Sequence, residues 1–204
     1  MQKALAKQQF EENKIGWKKS FMTGFCQDEN GDFLPWMCYP LIKYLQENLN
    51  KNDVVFEFGS GASTLFFAKR VKKVVAIESN EKWHEIMCAK IEKSGLKNIE
   101  LVLMKDALEN EKYDNYAKNL AANGVNFDLI IIDSLKRSSC TLNSIDALKT
   151  HGKLILDDSE RPHYGKIRDF MINQGFSCQE FEGIAPAQIK LKKGWVFAKN
   201  IAQI

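Results

Sequence analysis

The chain has 204 residues, of which 45% are hydrophobic and 27% charged, enough to bury the core of one α/β domain of ordinary size. No apolar run approaches the roughly 18–20 residues that cross a bilayer, and the opening MQKALAKQQFEENK is too polar for a secretory leader, so a cytoplasmic address without a membrane partner is expected. Net charge is only +3, with Lys and Arg interleaved among Asp and Glu, which disfavours the basic stripe of a nucleic-acid-binding protein.

Residues 1–32 read as an N-terminal helical arm and turn, with a tight reversal at Asn30-Gly31, and residues 33–204 as a single domain. The aromatic lead-in Phe33-Leu34-Pro35-Trp36-Met37-Cys38-Tyr39-Pro40 runs into a helix whose apolar positions Leu41, Ile42, Leu45 and Leu49 share one face. From Asp53 onward, short apolar runs alternate with amphipathic segments. The runs are Val54–Phe58, Val74–Ile77, Ile99–Leu103, Leu129–Ile132 and Lys153–Leu156; the helical segments include Ser63–Arg70, Glu81–Lys93, Thr141–Leu148 and Tyr164–Asn173. The stretches 107–126 and 134–141 read as loops. Runs that are apolar on both faces suit a parallel sheet covered by helices. Phe176–Glu182 and Ile189–Ala198, with no helix between them, pair as an antiparallel hairpin. The expectation is an α/β, Rossmann-like, doubly wound and mostly parallel seven-stranded sheet closed by a C-terminal antiparallel hairpin. The five cysteines contain no C-x-x-C pair and read as free thiols in a reducing compartment.

The first strand ends in Glu57-Phe58-Gly59-Ser60-Gly61-Ala62-Ser63-Thr64, with a helix following at once. Glycines at that point let a backbone approach a ligand, and the helix start offers N–H groups and a positive dipole end. A dinucleotide fingerprint would place a third glycine where Thr64 stands. Here Ser63 and Thr64 instead bring hydroxyls that cap N–H groups or meet a ligand carboxylate. Glu78, followed by Ser79, closes the next strand nineteen residues past Gly59, the place of an acid that accepts ribose hydroxyls. Asp106, beside Ala107, follows the third strand and is placed to meet an adenine amino group. Asp133 closes the fourth, and Glu57 is placed to receive a ligand ammonium.

These segments, FEFGSGAST, VVAIESNEKW, the Lys105-Asp106-Ala107 step and FDLIIIDS, resemble class I S-adenosylmethionine-dependent methyltransferases over roughly residues 33–198. The lead-in and Leu156-Asp157-Asp158-Ser159-Glu160-Arg161 resemble a bacterial group with an LPWxxYP segment, except that Asp158 and Glu160 stand where that group has Asn and Asp. The resemblance implies S-adenosylmethionine as cofactor, held by Gly59, Gly61, Glu78, Asp106 and Asp133; Glu57, Ser60, Ser63, Thr64, Ser79, Ala107, Trp36 and Tyr39 complete the expected set.

Methyl transfer from a sulfonium is an in-line displacement that needs alignment and, for a hydroxyl or amine acceptor, a proton acceptor. Asp158 and His163 are the candidates, the latter because a neutral imidazole serves as a base near pH 7. His84 and His151 read as helix-face and loop residues. Trp36, Tyr39 and Trp83 are candidate lid aromatics. Asp133 with Asp157-Asp158 also offers hard oxygen ligands of the kind that hold magnesium in catechol O-methyltransferases, but no metal is assigned. A small-molecule acceptor methylated on oxygen is favoured, and a homo-oligomer is compatible with the sequence. The competing readings are an NAD(P)-dependent oxidoreductase and a non-catalytic cofactor-binding protein.

Overall fold

The computed structural model describes residues 16–199; the arm expected over residues 1–15 lies outside them. The strands are β1 (Val54–Phe58), β2 (Lys73–Glu78), β3 (Ile99–Leu103), β4 (Phe127–Ile132), β5 (Leu148–Asp157), β6 (Ser177–Ile184) and β7 (Leu191–Ala198). They form one seven-stranded sheet in the order β3-β2-β1-β4-β5-β7-β6. β1 to β5 pair in parallel, while β7 runs antiparallel to both β5 and β6. This is the Rossmann-like, mostly parallel sheet with a terminal hairpin that the alternation of runs and helices predicts.

Alternate side chains of each strand enter opposite core layers. Phe56, Phe58, Ile130, Ile132, Leu154 and Leu156 pack on one side with Tyr113, Met171 and Phe197. Val55, Leu129, Ile131 and Ile155 pack on the other with Leu41, Leu45, Phe66 and Phe67. Burial on both faces is why these strands read as continuous apolar runs.

The helices are α1 (Trp17–Thr23), α2 (Tyr39–Asn48), α3 (Ala62–Ala68), α4 (Glu81–Ser94), α5 (Glu111–Asp114), α6 (Tyr116–Ala122), α7 (Arg137–Ser144) and α8 (Gly165–Asn173). Pro40 opens α2, where a missing N–H costs nothing, and Leu41, Ile42 and Leu45 face the sheet. Asn80 caps α4 by accepting the Trp83 N–H, and Gly95 ends it in the left-handed region. α1 docks on the terminal hairpin: Trp17 packs with Ile184, and its indole N–H donates to the Gln188 carbonyl at 2.8 Å.

The structure corrects the sequence reading at three places. The stretch 107–126, expected as loop, contains α5 and α6, because Tyr113 and Ala117 fill the first core layer and the Asn110 side chain caps α5. The helix expected over Thr141–Leu148 starts four residues earlier, at Arg137, and gives way to a 3-10 turn at Ile145–Ala147. β5 therefore begins at Leu148, and His151 lies on a strand rather than in a loop. Asp128 draws that polar stretch into the sheet: it accepts from the Val54 N–H and from Lys149 at 2.8 and 2.7 Å, with His151 Nε2 at 3.1 Å.

Candidate active site

The chain leaves β1 toward β2 and β3, then returns to the other side of β1 as β4. The crevice at this reversal of strand order is where open α/β sheets take ligands. Register makes the strand ends level, since Phe58 pairs with both Ile77 and Ile132. Gly59, Glu78 and Asp133 thus converge on one edge. A cleft of about 420 Å³ opens there, lined by Gly59, Ser60, Glu78, Ser79, Asn80 and Asp133 among others. An adjoining hollow of about 340 Å³ shares Ser79, Asn80 and Leu135 with it and is walled by Asp106, Ala107 and Leu108.

The glycine turn is tight. Gly59 has φ +95°, and its N–H donates to the Ile77 carbonyl at 2.9 Å. A Cβ there would lie 2.3 Å from the Asp133 carbonyl oxygen. Glu78 is buried and already oriented: its carboxylate accepts from the Ser60 hydroxyl (2.8 Å) and from the N–H groups of Ser79 (2.8 Å) and Asn80 (2.9 Å). The Trp83 indole donates to the Ser60 carbonyl at 2.8 Å, which fixes the turn from the α4 side.

Ser63 and Thr64 are buried and turn inward. The Thr64 hydroxyl accepts the Gly61 N–H at 3.0 Å and donates to Glu57 at 2.5 Å. Glu57 itself is buried beneath the turn, and its pKa is pushed up to about 8, first by burial and further by Asp133 and Glu78, against the hydroxyls of Ser63 and Thr64. A carboxyl whose folded pKa exceeds its unfolded one lends stability that is complete below the unfolded value and lost as pH rises through the folded one. The wild-type chain is therefore expected to lose stability relative to Glu57→Gln between pH 4.5 and 8. Urea denaturation across that window checks this; parallel curves for the two proteins would contradict it.

The opposite wall is ionic. Asp133, just past β4, accepts from Arg137, the first residue of α7, and Arg137 also lies 3.0 Å from Asp158. Lys192, on β7, reaches Asp157 at 2.7 Å, Asp158 at 2.8 Å and the Trp36 carbonyl at 2.7 Å. Arg161 pairs with the other side of Asp158 at 2.5 Å. Burial alone would raise the Asp158 pKa, but Lys192, Arg137 and Arg161 hold it below the usual carboxylate range. Complete burial, reinforced by Asp133, pushes Asp157 upward. Lys192 is driven above the usual lysine range by Asp157, Asp133 and Asp158, against its own burial.

Not every predicted residue reaches the cleft. Trp36 is about half exposed and tied to the ionic wall through its carbonyl. The Tyr39 ring packs beside Trp17 and Ile184, under α1, with its hydroxyl buried and unpartnered. His163 is exposed on the Pro162–Tyr164 turn, its ring 4.1 Å from that of Tyr164. His84 lies on α4 with its ring nitrogens near Cys88. Sequence reasoning missed Arg137, Lys192, Arg161 and Tyr113. Only Arg137 left a local signal, four residues past Asp133 at the start of a helix.

Asp133, Asp157 and Asp158 each offer an oxygen within 4.8 Å of the others, a metal-like grouping. A magnesium ion does not fit it as built, because the Lys192 ammonium and the Arg137 guanidinium already supply positive charge among these carboxylates.

No family model matches the sequence, and none of the curated proteins matches it. Solved structures do. An rRNA methylase from Streptococcus thermophilus aligns over 77% of this chain and 92% of its own, with 20% identity and a TM-score of 0.56. TYW2 of M. jannaschii, in complex with AdoMet, aligns over 76% of this chain and 72% of its own, at 19% identity and TM-score 0.52. A SAM-dependent O-methyltransferase from Thermotoga maritima aligns over 78% and 63%, at 15% identity and TM-score 0.56. What this chain shares with them is the Rossmann-like methyltransferase fold.

Proposed function

We propose that the chain binds S-adenosylmethionine in the cleft at the ends of β1, β2 and β4 and transfers its methyl group to a small-molecule acceptor, on oxygen by preference. The observation that carries this reading is the convergence of the Gly59 turn and the pre-oriented Glu78 carboxylate at the reversal of strand order. The AdoMet bound to a protein of this fold supports it. Three of the roughly four acceptor positions of Glu78 are occupied, so ribose hydroxyls take the remaining one and displace Ser60. Asp106 and Ala107 receive adenine in the adjoining hollow, while Gly59, Gly61 and Asp133 border the methionyl portion.

A small acceptor is favoured over RNA because the cations around the cleft are spent internally. Arg137, Arg161 and Lys192 hold Asp133, Asp157 and Asp158, and Lys136 holds Asp114 at 3.1 Å. Phosphate binding requires uncommitted Lys and Arg. His163, exposed on the Pro162–Tyr164 turn away from the cleft lining, is not assigned as the base. Asp158 is a weak proton acceptor with three cations around it, and its part is to position Arg137, Arg161 and Lys192.

Isothermal calorimetry of the chain with S-adenosylmethionine, S-adenosylhomocysteine and NAD(P)H tests the proposal. The adenosyl ligands are expected to bind and the nicotinamide ones not; the reverse ranking would replace a methyltransferase with an oxidoreductase. Glu78→Ala is expected to weaken S-adenosylhomocysteine binding about 10- to 100-fold. His163→Gln should leave both methyl transfer and that affinity unchanged, since the imidazole stands outside the cleft lining. Trp36→Ala should barely move the melting temperature, since the ring is half exposed, and should leave ligand binding unchanged, since only its backbone carbonyl meets the ionic wall. A large melting shift without a binding change would make Trp36 a packing residue.

A further inference from the structure

The ionic wall of the cleft places two cations among three carboxylates that are spaced for a metal ion. Two ligands on opposite sides of a cation at about 2.4 Å stand about 4.8 Å apart, the calcium range, and smaller ions draw them closer. The oxygens of Asp133, Asp157 and Asp158 fall within that reach, 4.8 Å. Lys192 Nζ lies at hydrogen-bond distance from two of the three. It is only 8% exposed, and Asp157, fully buried, keeps a second oxygen, Oδ1, with no hydrogen-bond partner. Lys192 arrives from β7, the strand antiparallel to β5, so its place is set by the sheet and not by a loose surface chain. Its third contact, the Trp36 carbonyl, ties the lead-in to the same point.

We infer that Lys192 is a built-in cation: its ammonium fills a divalent-ion position formed by Asp133, Asp157 and Asp158, so that the wild-type chain excludes a metal there and positions these carboxylates without one. An ammonium on a four-carbon stem is a compact point charge with three donors. It satisfies Asp157, Asp158 and the Trp36 carbonyl with one donor each, which leaves no stoichiometric role for an ion. Arg137 closes the Asp133 side. Removing the ammonium while keeping the acids should then convert the wall into a genuine cation site. The inference does not depend on the methyltransferase reading, because its readout is ion binding by the chain alone.

The test is titration of Mn²⁺ and Ca²⁺ into the wild type, Asp157→Asn, Lys192→Ala and Asp157→Asn/Lys192→Ala, followed by calorimetry, by Mn²⁺ paramagnetic resonance and by the melting temperature with and without ion. The wild type is expected to bind neither ion at this wall. Lys192→Ala is expected to gain one site, with affinity on the order of 10-fold or more above any background binding, and to recover melting temperature when the ion is added. The double variant should lose that site. A wild type that binds the ions with loss on Asp157→Asn would overturn the inference, as would a folded Lys192→Ala that binds none. Should Lys192→Ala fail to fold without ion, refolding in Ca²⁺ is the expected rescue, and Lys192→Gln, which keeps a hydrogen bond but no charge, repeats the titration. No gain of ion binding in either variant counts against the proposal.

Discussion

Gly59→Ala is expected to cost about 3 kcal/mol or more of folding stability and to abolish ligand binding in the cleft. Two effects add. Gly59 sits at φ +95°, beyond the small left-handed region that other residues tolerate, and strained backbone of that kind costs on the order of 1–3 kcal/mol. The new Cβ would also stand 2.3 Å from the Asp133 carbonyl oxygen, a backbone atom without a rotamer to escape through. Relief requires β1 and β4 to part at the edge where Asp133 N–H donates to the Phe58 carbonyl at 3.1 Å. That movement carries Asp133 and the whole turn away from Glu78, so stability and binding fall together. Urea denaturation and calorimetry with S-adenosylhomocysteine measure both. A variant that loses less than about 1 kcal/mol and still binds would show that the turn relaxes at little cost.

The half of the cleft built by Gly59, Glu78 and Asp133 was legible because each residue is the first past an apolar run, and parallel register brings run ends level. Strand and helix alternation needed only the same local signal, and the terminal hairpin followed from the absence of a helix between the last two runs. The other half was not legible for a physical reason. Lys192 sits in a Lys-Lys pair that reads as solvated surface, and only the pairing of β7 beside β5 turns it onto Asp157. Tyr113 hides in a segment of mixed charge whose helices are held by a single buried ring and a short apolar face. Lys149 and His151 join the sheet through Asp128, a partner more than twenty residues away. Contacts between distant segments decided each of these, and no local pattern carries them.

Lys192→Met is expected to destabilise the chain by roughly 3–5 kcal/mol at neutral pH, the cost of breaking a buried ion pair from one side. Methionine keeps most of the length and packing of the lysine stem, so the loss isolates the ammonium. Without it Asp157 is buried with no counter-charge on its second oxygen either, and Asp158 keeps only Arg137 and Arg161. A double-mutant cycle with Asp157→Asn separates the pair from its surroundings: the double variant should regain part of the stability lost in Lys192→Met, since the orphaned charge is gone. The sign of the pH dependence follows from the same charges. Burial and Asp133 already push the Asp157 pKa above its ordinary value, and loss of Lys192 pushes it further. A carboxyl raised in the folded state binds its proton more tightly there than in the unfolded chain, so the folded state gains as pH falls. The deficit of Lys192→Met should thus be largest near about pH 8 and shrink toward about pH 5, whereas a packing defect would be constant across the range. Denaturation curves of the four proteins at both pH values decide between them, and a constant deficit would remove Lys192 from its electrostatic role.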